Sequence, residues 1–385
     1  MPSSKESQTS GVEDRRHMKR ALTIARRGQG LVSPNPAVGA VLVRQGNIIG
    51  EGWHHGPGQP HAEIEAIRDA LRQGTDPKGS TLYVTLEPCS TEGRTPPCTS
   101  AIVKHQIKIV HAATEDPNPQ HSGSGFALLR NQGVTVRVGL CNDEATQLNL
   151  GFNHWIVHQT PLITIKSAMT LDGKIATATG QSKWITGPKA RAKVMKMRFQ
   201  HDAILVGIET LLADDPSLTV RTGKAFERMH PKKELRRFVL DSKARTPLSS
   251  QICNDSQAHL TTIVVGNEAS SEKIRKLQRK VTVWKLRTSQ TRISLKALLK
   301  RLGRDGITSL MVEGGGEVNA AFIEQRLATR IAFFYAPKIL GGVDSRPAVG
   351  GRGFNNPETF LRLCNTRWQS LGSDLLLTAN IQSSP

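Results

Sequence analysis

Three short strings constrain this chain more than anything else in it: His61-Ala62-Glu63, Glu87-Pro88-Cys89 and Pro97-Cys98. One histidine and two cysteines are the nitrogen and sulfur donors that hold Zn²⁺ at three corners of a tetrahedron, leaving the fourth for water. A fold for this sequence must therefore bring position 61 into contact with positions 89 and 98. Local patterning shows how it can. In HAEIEAIRDALRQG the apolar residues Ile64, Ile67 and Leu71 recur at helical spacing, so His61 and Glu63 open a helix. TLYVTLEPC reads as a β run ending at Cys89, and PPCTSAIVKHQ starts another helix at Cys98, whose positive end favours a thiolate. Bound zinc lowers the pKa of its water toward about 7. Glu63, two residues from a ligand, is placed to move protons without binding metal. The sequence thus predicts His61, Cys89 and Cys98 as metal ligands and Glu63 as the catalytic group. Cys141, Cys253 and Cys364 have no such partners and read as ordinary apolar side chains.

The rest of the chain predicts two α/β domains. Its 385 residues exceed twice the usual single domain. Met18, Ala21, Leu22 and Ala25 mark one face of a first helix from Asp14 to Arg27, closed by Gly28, with residues 1–13 as a disordered tail. Two β-type runs hinged near Gly46 predict a hairpin, and strands and helices then alternate. A second such series begins at TPLITIKSAMTLDG, which places the boundary near Thr160 and the domains at 14–159 and 160–385. Its candidate strands are AILVG, RFVLD, TIVVG and SLMVEGGG, with a helix at Pro188 to Gln200. The charge-dense stretch from Arg221 to Arg237, which contains Pro231, reads as a surface excursion.

Composition excludes several classes. No run of about 18 apolar residues is present, which argues against a membrane span. Met1 to Gly11 is polar and lacks the apolar core of a signal peptide, so a cytoplasmic protein is expected, where an odd count of five cysteines does not suggest a disulfide framework. Residues 1–150 carry 16 Lys and Arg against 14 Asp and Glu, whereas residues 151–385 carry 36 against 18. The second half should therefore attract anions, such as phosphorylated small molecules. A nucleic-acid base deaminase with a basic RNA-gripping half is the rival reading. Only two tyrosines occur, and no aromatic stacking run accompanies the charge, so no nucleic-acid partner is expected.

Eight residues, STEGRTPP, separate Cys89 from Cys98, where nucleobase deaminases carry P-C-x-x-C. With PNPAVGAVLV, GEGWH, PHAEIEA, YVTLEPCS, GRTPPC and EDPNPQ, this spacing resembles the deaminase domain of the RibD family of bifunctional riboflavin-biosynthesis enzymes. The resemblance implies a cytidine-deaminase-like α/β/α layered domain acting on a 2,5-diaminopyrimidinone that bears a ribosylamino 5-phosphate. It also implies base- and phosphate-binding roles for Asn35, His54, Arg94, Asp116 and Asn118. Two positions depart from the family pattern: Thr91 stands where a substrate-contacting histidine is common, and Ser124 where a basic residue is usual.

KSAMTLDGKIA, SKWITG, DAILVGIETLLADDPSLTVR and VEGGGEVNAAF, in that order, resemble the family's reductase domain, whose α/β fold is similar to dihydrofolate reductase. The last string is a glycine-rich turn between a β run and a helix, an arrangement that lets backbone N–H groups hold phosphate. By this resemblance Ala168, Trp184, Thr210, Asp214 and the turn from Gly315 to Ala321 lie along NADPH. Ser182, Arg198, Leu218, Arg221 and Glu313 are expected to hold the substrate, with Arg198 and Arg221 suited to its phosphate and Lys166 and Asp214 near the reacting sugar. The family resemblance further implies a homo-oligomer.

Overall fold

The computed structural model describes residues 4–93, 96–221, 223, 233–289 and 292–382. The chain divides into two compact units, Met1–Gln159 and Thr160–Pro385.

Unit 1 opens with helix α1 (Ser4–Ala25), followed by strands β1 (Gly39–Arg44) and β2 (Asn47–Trp53) and helix α2 (Ala62–Arg72). Then come β3 (Thr81–Val84), α3 (Cys98–Lys104), β4 (Ile109–Ala112), α4 (Ser124–Asn131), β5 (Thr135–Val138), α5 (Asn142–Leu148) and α6 (Leu150–His158). The strands form one sheet in the order β2-β1-β3-β4-β5. Strand β1 is antiparallel to β2 and β3, and β3, β4 and β5 run parallel. The β1–β2 turn uses Gln45 and Gly46, both at positive φ, the two-residue geometry that matches the right-handed twist of a hairpin.

Alternation along the strands supplies two apolar faces. Ala40, Leu42, Leu82, Val84 and Val110 pack under α2, α3 and α4, while Val41, Val43 and Tyr83 pack under α1 and α5. Unit 1 is thus an α/β/α sandwich. Gly50 and Gly52 bring α2 close to β2: a Cβ on either would overlap the carbonyl oxygen of Ala66 or Ala62. This close approach places the start of α2 beside the sheet.

Helix α1 begins at Ser4, ten residues before the expected start at Asp14, so residues 4–13 are helical in backbone. Proline is absent from that stretch, and among residues 11–25 burial against the sheet begins at His17 and Met18.

Unit 2 contains β6 (Leu162–Thr170), β7 (Lys174–Ala176), α7 (Pro188–Gln200), β8 (Ala203–Gly207), α8 (Ile208–Asp214), β9 (Arg236–Leu240), β10 (Thr261–Val265), β11 (Thr282–Lys285), β12 (Thr288–Ser289), β13 (Arg292–Ile293), β14 (Ser309–Val312), β15 (Arg330–Ala336), β16 (Arg346–Pro347), β17 (Leu363–Leu371) and β18 (Asp374–Ile381). Further helices span Ser271–Gln278, Leu295–Arg304 and Gly316–Glu324. Nine strands build the main sheet in the order β11-β10-β9-β8-β14-β6-β15-β18-β17. Pairing is parallel from β11 to β15 and antiparallel at β18 and β17. Strands β8, β10 and β14 are buried throughout, as parallel strands covered on both faces must be.

The surface excursion expected from Arg221 to Arg237 ends sooner. Residues 222 and 224–232 lie outside the described ones, and β9 already begins at Arg236. Arg237 is fully buried because its guanidinium pairs with both carboxylate oxygens of Asp255 and with the carbonyls of Ser217 and Ile252. Among the described residues no helix is long and apolar enough to cross a membrane.

Candidate functional site

In unit 1 the secondary structure delivers the three expected ligands to one point. His61 is the N-cap of α2 in extended backbone, and Cys98 is the first residue of α3. Cys89 lies on the loop that leaves β3. His61 Nδ1 stands 3.5 Å from Cys89 Sγ and 3.3 Å from Cys98 Sγ, and the three donor atoms all lie within 4.8 Å of one another. Zinc bonds of about 2.3 Å to sulfur and about 2.0 Å to nitrogen give tetrahedral edges of roughly 3.5 to 3.8 Å, so this donor set fits Zn²⁺. No other group of three or more metal-binding side chains converges among the described residues.

The electrostatics agree with a cation at that point. Hydrogen bonds from the Cys98 thiol and His61 hold Cys89 well below the usual thiol range, while the hydrogen bond to Cys89 and burial push Cys98 up. The Cys98 backbone N–H also donates to Cys89 Sγ at 3.3 Å. A divalent cation at that point would suit both as thiolates. Glu63 lies in the first turn of α2 and is buried. Burial pushes its carboxyl up to about 7, and the Cys89 charge adds to the effect. A carboxyl in that range can both accept and return a proton at neutral pH.

Asn35 and His54 are tied together next to the ligands. The His54 ring meets the His61 ring edge-on with centroids 5.3 Å apart. Burial lowers the pKa of His54, which favours the neutral ring. Its Nδ1–H then donates to the Pro60 carbonyl at 3.1 Å, and Nε2 accepts from the Asn35 amide at 2.9 Å. A cleft opens on Asn35, Gln59, His61, Cys89 and Thr91. A small hollow beside Cys89 is walled by Glu87, Thr91, Asp116, His121 and Ser124. Both departures from the family pattern, Thr91 and Ser124, therefore stand at the walls and not among the ligands.

Asn118 is turned toward its own loop, its side-chain oxygen accepting from Gln120 N–H at 3.1 Å and its backbone N–H donating to Asp116 Oδ1 at 2.9 Å. Arg94 lies outside the described residues.

In unit 2 the expected residues fall into three groups. The first is a buried ion cluster: Arg198 Nε and Nη2 donate to the two oxygens of Glu313 at 2.7 and 3.1 Å, and Lys166 Nζ donates to Glu313 Oε2 at 3.2 Å. A third Arg198 donor goes to the Thr219 carbonyl at 2.9 Å. The fork expected to clamp a phosphate is thus already closed on Glu313. These cations hold the Glu313 carboxyl down to about 2 against the opposing pull of burial.

The second group joins Ser182, whose hydroxyl donates to Asp214 Oδ1 at 3.0 Å, to Trp184 on the next turn of chain. Trp184 is two-thirds exposed, with the Arg191 guanidinium 4.7 Å over its ring and Lys338 Nζ donating to its carbonyl at 3.0 Å. The third group sits at the carboxyl ends of β8 and β14. There Thr210 Oγ1 is 3.8 Å from the place a Cβ on Gly315 would occupy, and the N-terminus of helix Gly316–Glu324 carries no side-chain cap. Open N–H groups behind a glycine turn fit the phosphates of a dinucleotide. Ala168 lies half-buried on β6. Leu218 is buried at positive φ, which leaves only its backbone for a ligand, and Arg221 is exposed.

Three residues escaped sequence reasoning. His121 follows DPNPQ, and a polar string rich in Asp, Asn, Pro and Gly shows a loop without saying which side chain faces inward. Glu87 was in view within Glu87-Pro88-Cys89, but only the structure gives it partners. Arg237 gave no signal at all, because a charged residue inside a β run reads as solvent-facing.

The model of the RibD C-terminal domain matches residues 161–377, and that of the cytidine and deoxycytidylate deaminase zinc-binding region matches residues 12–114. The riboflavin biosynthesis protein RibD of Aquifex aeolicus is 41% identical over 364 residues, covering 94% of this chain and 97% of that one. Its counterpart from Escherichia coli is 39% identical over 337 residues, 86% of this chain and 89% of the other. Among solved structures, RibD from Acinetobacter baumannii superposes with a TM-score of 0.84 at 34% identity, covering 97% of this chain and all of that one. The diaminohydroxyphosphoribosylaminopyrimidine deaminase/5-amino-6-(5-phosphoribosylamino)uracil reductase of Thermotoga maritima gives the same TM-score, identity and coverage.

Proposed function

This chain belongs to the RibD family of bifunctional deaminase and reductase enzymes of riboflavin biosynthesis, and on that premise we propose which of its residues perform each step. It is a zinc- and NADPH-dependent enzyme with a cytidine-deaminase-like domain followed by a dihydrofolate-reductase-like domain, acting on a small phosphorylated pyrimidine. The deaminase activity is assigned to residues 14–159 and the reductase to residues 160–385. The boundary between compact units at 159/160 supports this division.

The reading assigns hydrolytic removal of the 2-amino group from 2,5-diamino-6-(5-phospho-ribosylamino)pyrimidin-4-one to unit 1. His61, Cys89 and Cys98 would hold the zinc, which when bound would supply the Lewis acidity that makes water a nucleophile at neutral pH. Glu63 takes a proton from that water and delivers protons to the ring nitrogen and the departing amine. Asn35, locked by His54, orients the base, and Asp116 meets it from the loop between β4 and α4, whose shape Asn118 keeps through its bonds to Asp116 and Gln120. The observation that carries this reading is the meeting of one His and two Cys donors within 4.8 Å at the wall of a cleft, with Glu63 buried two residues along from His61.

Unit 2 is assigned the conversion of the ribosyl group to ribityl, for which NADPH supplies the hydride. Ala168, Trp184, Thr210, Asp214 and the turn beginning at Gly315 line the dinucleotide. Glu313, fixed by Arg198, holds Lys166 toward the sugar, Ser182 and the Leu218 backbone contact the substrate, and exposed Arg221 reaches its phosphate. A cytoplasmic homo-oligomer completes the proposal. Edge strand β17 supports association, since it leaves Trp368 and Leu363 exposed beside an unpaired ladder.

Mass spectrometry of products tests the whole reading. Zinc-loaded protein without NADPH should add about one mass unit to the substrate as amine becomes oxygen, and NADPH should add about two more. Failure of the first gain with intact zinc overturns the deaminase assignment, and failure of the second on deaminated substrate overturns the reductase assignment.

A further inference from the structure

Glu87 has no part in the chemistry just described, yet its carboxylate has more backbone partners than any other acidic side chain near the zinc ligands. It is buried two residues before Cys89. Oε2 accepts from the N–H groups of Asp116 and Gly123, each at 3.0 Å, and Oε1 accepts from Gly125 at 2.8 Å and Phe126 at 3.3 Å. One carboxylate thus closes both ends of the loop 116–123 and satisfies open N–H groups of the first turn of α4. The same place shows a second close fit. A Cβ on Gly125 would overlap the Pro88 carbonyl oxygen and come within 3.1 Å of Glu87 Oε1, so α4 is seated directly against the Glu87-Pro88 backbone.

We propose that Glu87 is a positioning residue for deamination: it fixes the substrate-facing loop 116–123 at a set distance from the metal ligand Cys89. The inference rests on the reading that Asp116 meets the pyrimidine. The loop has its own internal bonds, Asn118 N–H to Asp116 and Ser122 Oγ to Glu115, which shape it without anchoring it to the Cys89 side. Among the described residues Glu87 makes that connection, through two charge-assisted bonds to the loop and two to the first turn of α4, with the hydroxyl contact between Ser90 and Ser124 beside it. Glutamine in its place keeps one acceptor oxygen but turns an NH₂ toward two N–H donors, so one pair of bonds is replaced by donor facing donor.

The test uses the full-length zinc-loaded enzyme and three variants. For Glu87→Gln we expect a deaminase KM raised about tenfold or more, kcat changed much less, zinc content unchanged and reductase turnover on deaminated substrate at the wild-type level. Gly125→Ala, which wedges α4 from the other side and leaves the carboxylate in place, should shift KM in the same direction. Zinc loss in Glu87→Gln would mean that Glu87 serves the metal site instead, and a lowered melting temperature with unchanged KM would reduce it to a stability role. Either result overturns the proposal. Should Glu87→Gln fail to fold, Gly125→Ala decides alone, and an unchanged KM in it is fatal. Asp116→Ala separates this inference from its premise: an unchanged KM there removes Asp116 from the binding site, whereas a raised KM there beside a normal one in Glu87→Gln rejects positioning only.

Discussion

The two units solve the same problem, holding a reactive group against a phosphorylated pyrimidine, in ways that leave different traces. In unit 1 the chemistry is written in side chains: His61, Cys89 and Cys98 converge within 4.8 Å, and Glu63 is buried beside them. In unit 2 the residues proposed for the site are a backbone turn, Gly314-Gly315-Gly316, and charges that satisfy one another in the Arg198–Glu313–Lys166 cluster. Soft donors for a metal must be particular residue types, so a sequence advertises them. Peptide N–H groups that hold phosphate are offered by any residue, so a sequence shows little beyond glycine.

The sharpest break of that contrast is Cys98→Ser. It should empty the metal site and abolish deamination while reductase turnover on deaminated substrate stays intact, read by elemental analysis and the two separate assays. Next comes Glu63→Gln, expected to lower deaminase kcat by about 10² to 10⁴ with zinc retained; wild-type turnover in that variant would remove Glu63 from proton transfer.

In unit 2 the counterpart is Glu313→Gln, which leaves Arg198 and Lys166 without their counter-charge. A loss of about 3–5 kcal/mol in the stability of that unit is expected, measured by denaturant unfolding alongside reductase activity. A change below about 1 kcal/mol would mean that the cluster is solvated rather than buried. The same carboxylate makes a pH prediction. Its pKa is depressed from an ordinary 4.5 to about 2, so its contribution is complete above about 4.5 and disappears as pH falls toward 2. The shift corresponds to roughly 3 kcal/mol, and Glu313→Gln should flatten the acid limb of the stability profile of unit 2.

The smallest effect concerns specificity. Thr91→His, which restores the residue common in the family at the cleft wall, should change deaminase KM by about three- to tenfold with zinc content unchanged, as one added hydrogen bond allows. An unchanged KM would show that position 91 does not touch substrate.

Much of the fold was legible because apolar periodicity reports burial directly. Helix Pro188–Gln200, the hairpin at Gly46 and the strands AILVG, RFVLD, TIVVG and SLMV follow from spacing and turn residues alone. The start of α1 was not, since the apolar positions that reveal the helix in the sequence, Met18, Ala21, Leu22 and Ala25, all lie in its later turns. Arg237 was hidden for the opposite reason. Its burial depends on Asp255 and on the carbonyls of Ser217 and Ile252, all distant in sequence from a strand that looks solvent-facing.

The sequence by itself determined the donor set of the metal site, the alternation of strands and helices, and the family, because ligand chemistry and apolar spacing are properties of residue types along a chain. Tertiary structure decided which polar groups are free to act. It closed Arg198 on Glu313, buried the Leu218 side chain, turned Asn118 into its own loop and gave Glu87 four backbone partners. Hydrogen bonds and ion pairs form between residues far apart in sequence and depend on distances of a few tenths of an ångström, which only the folded chain sets.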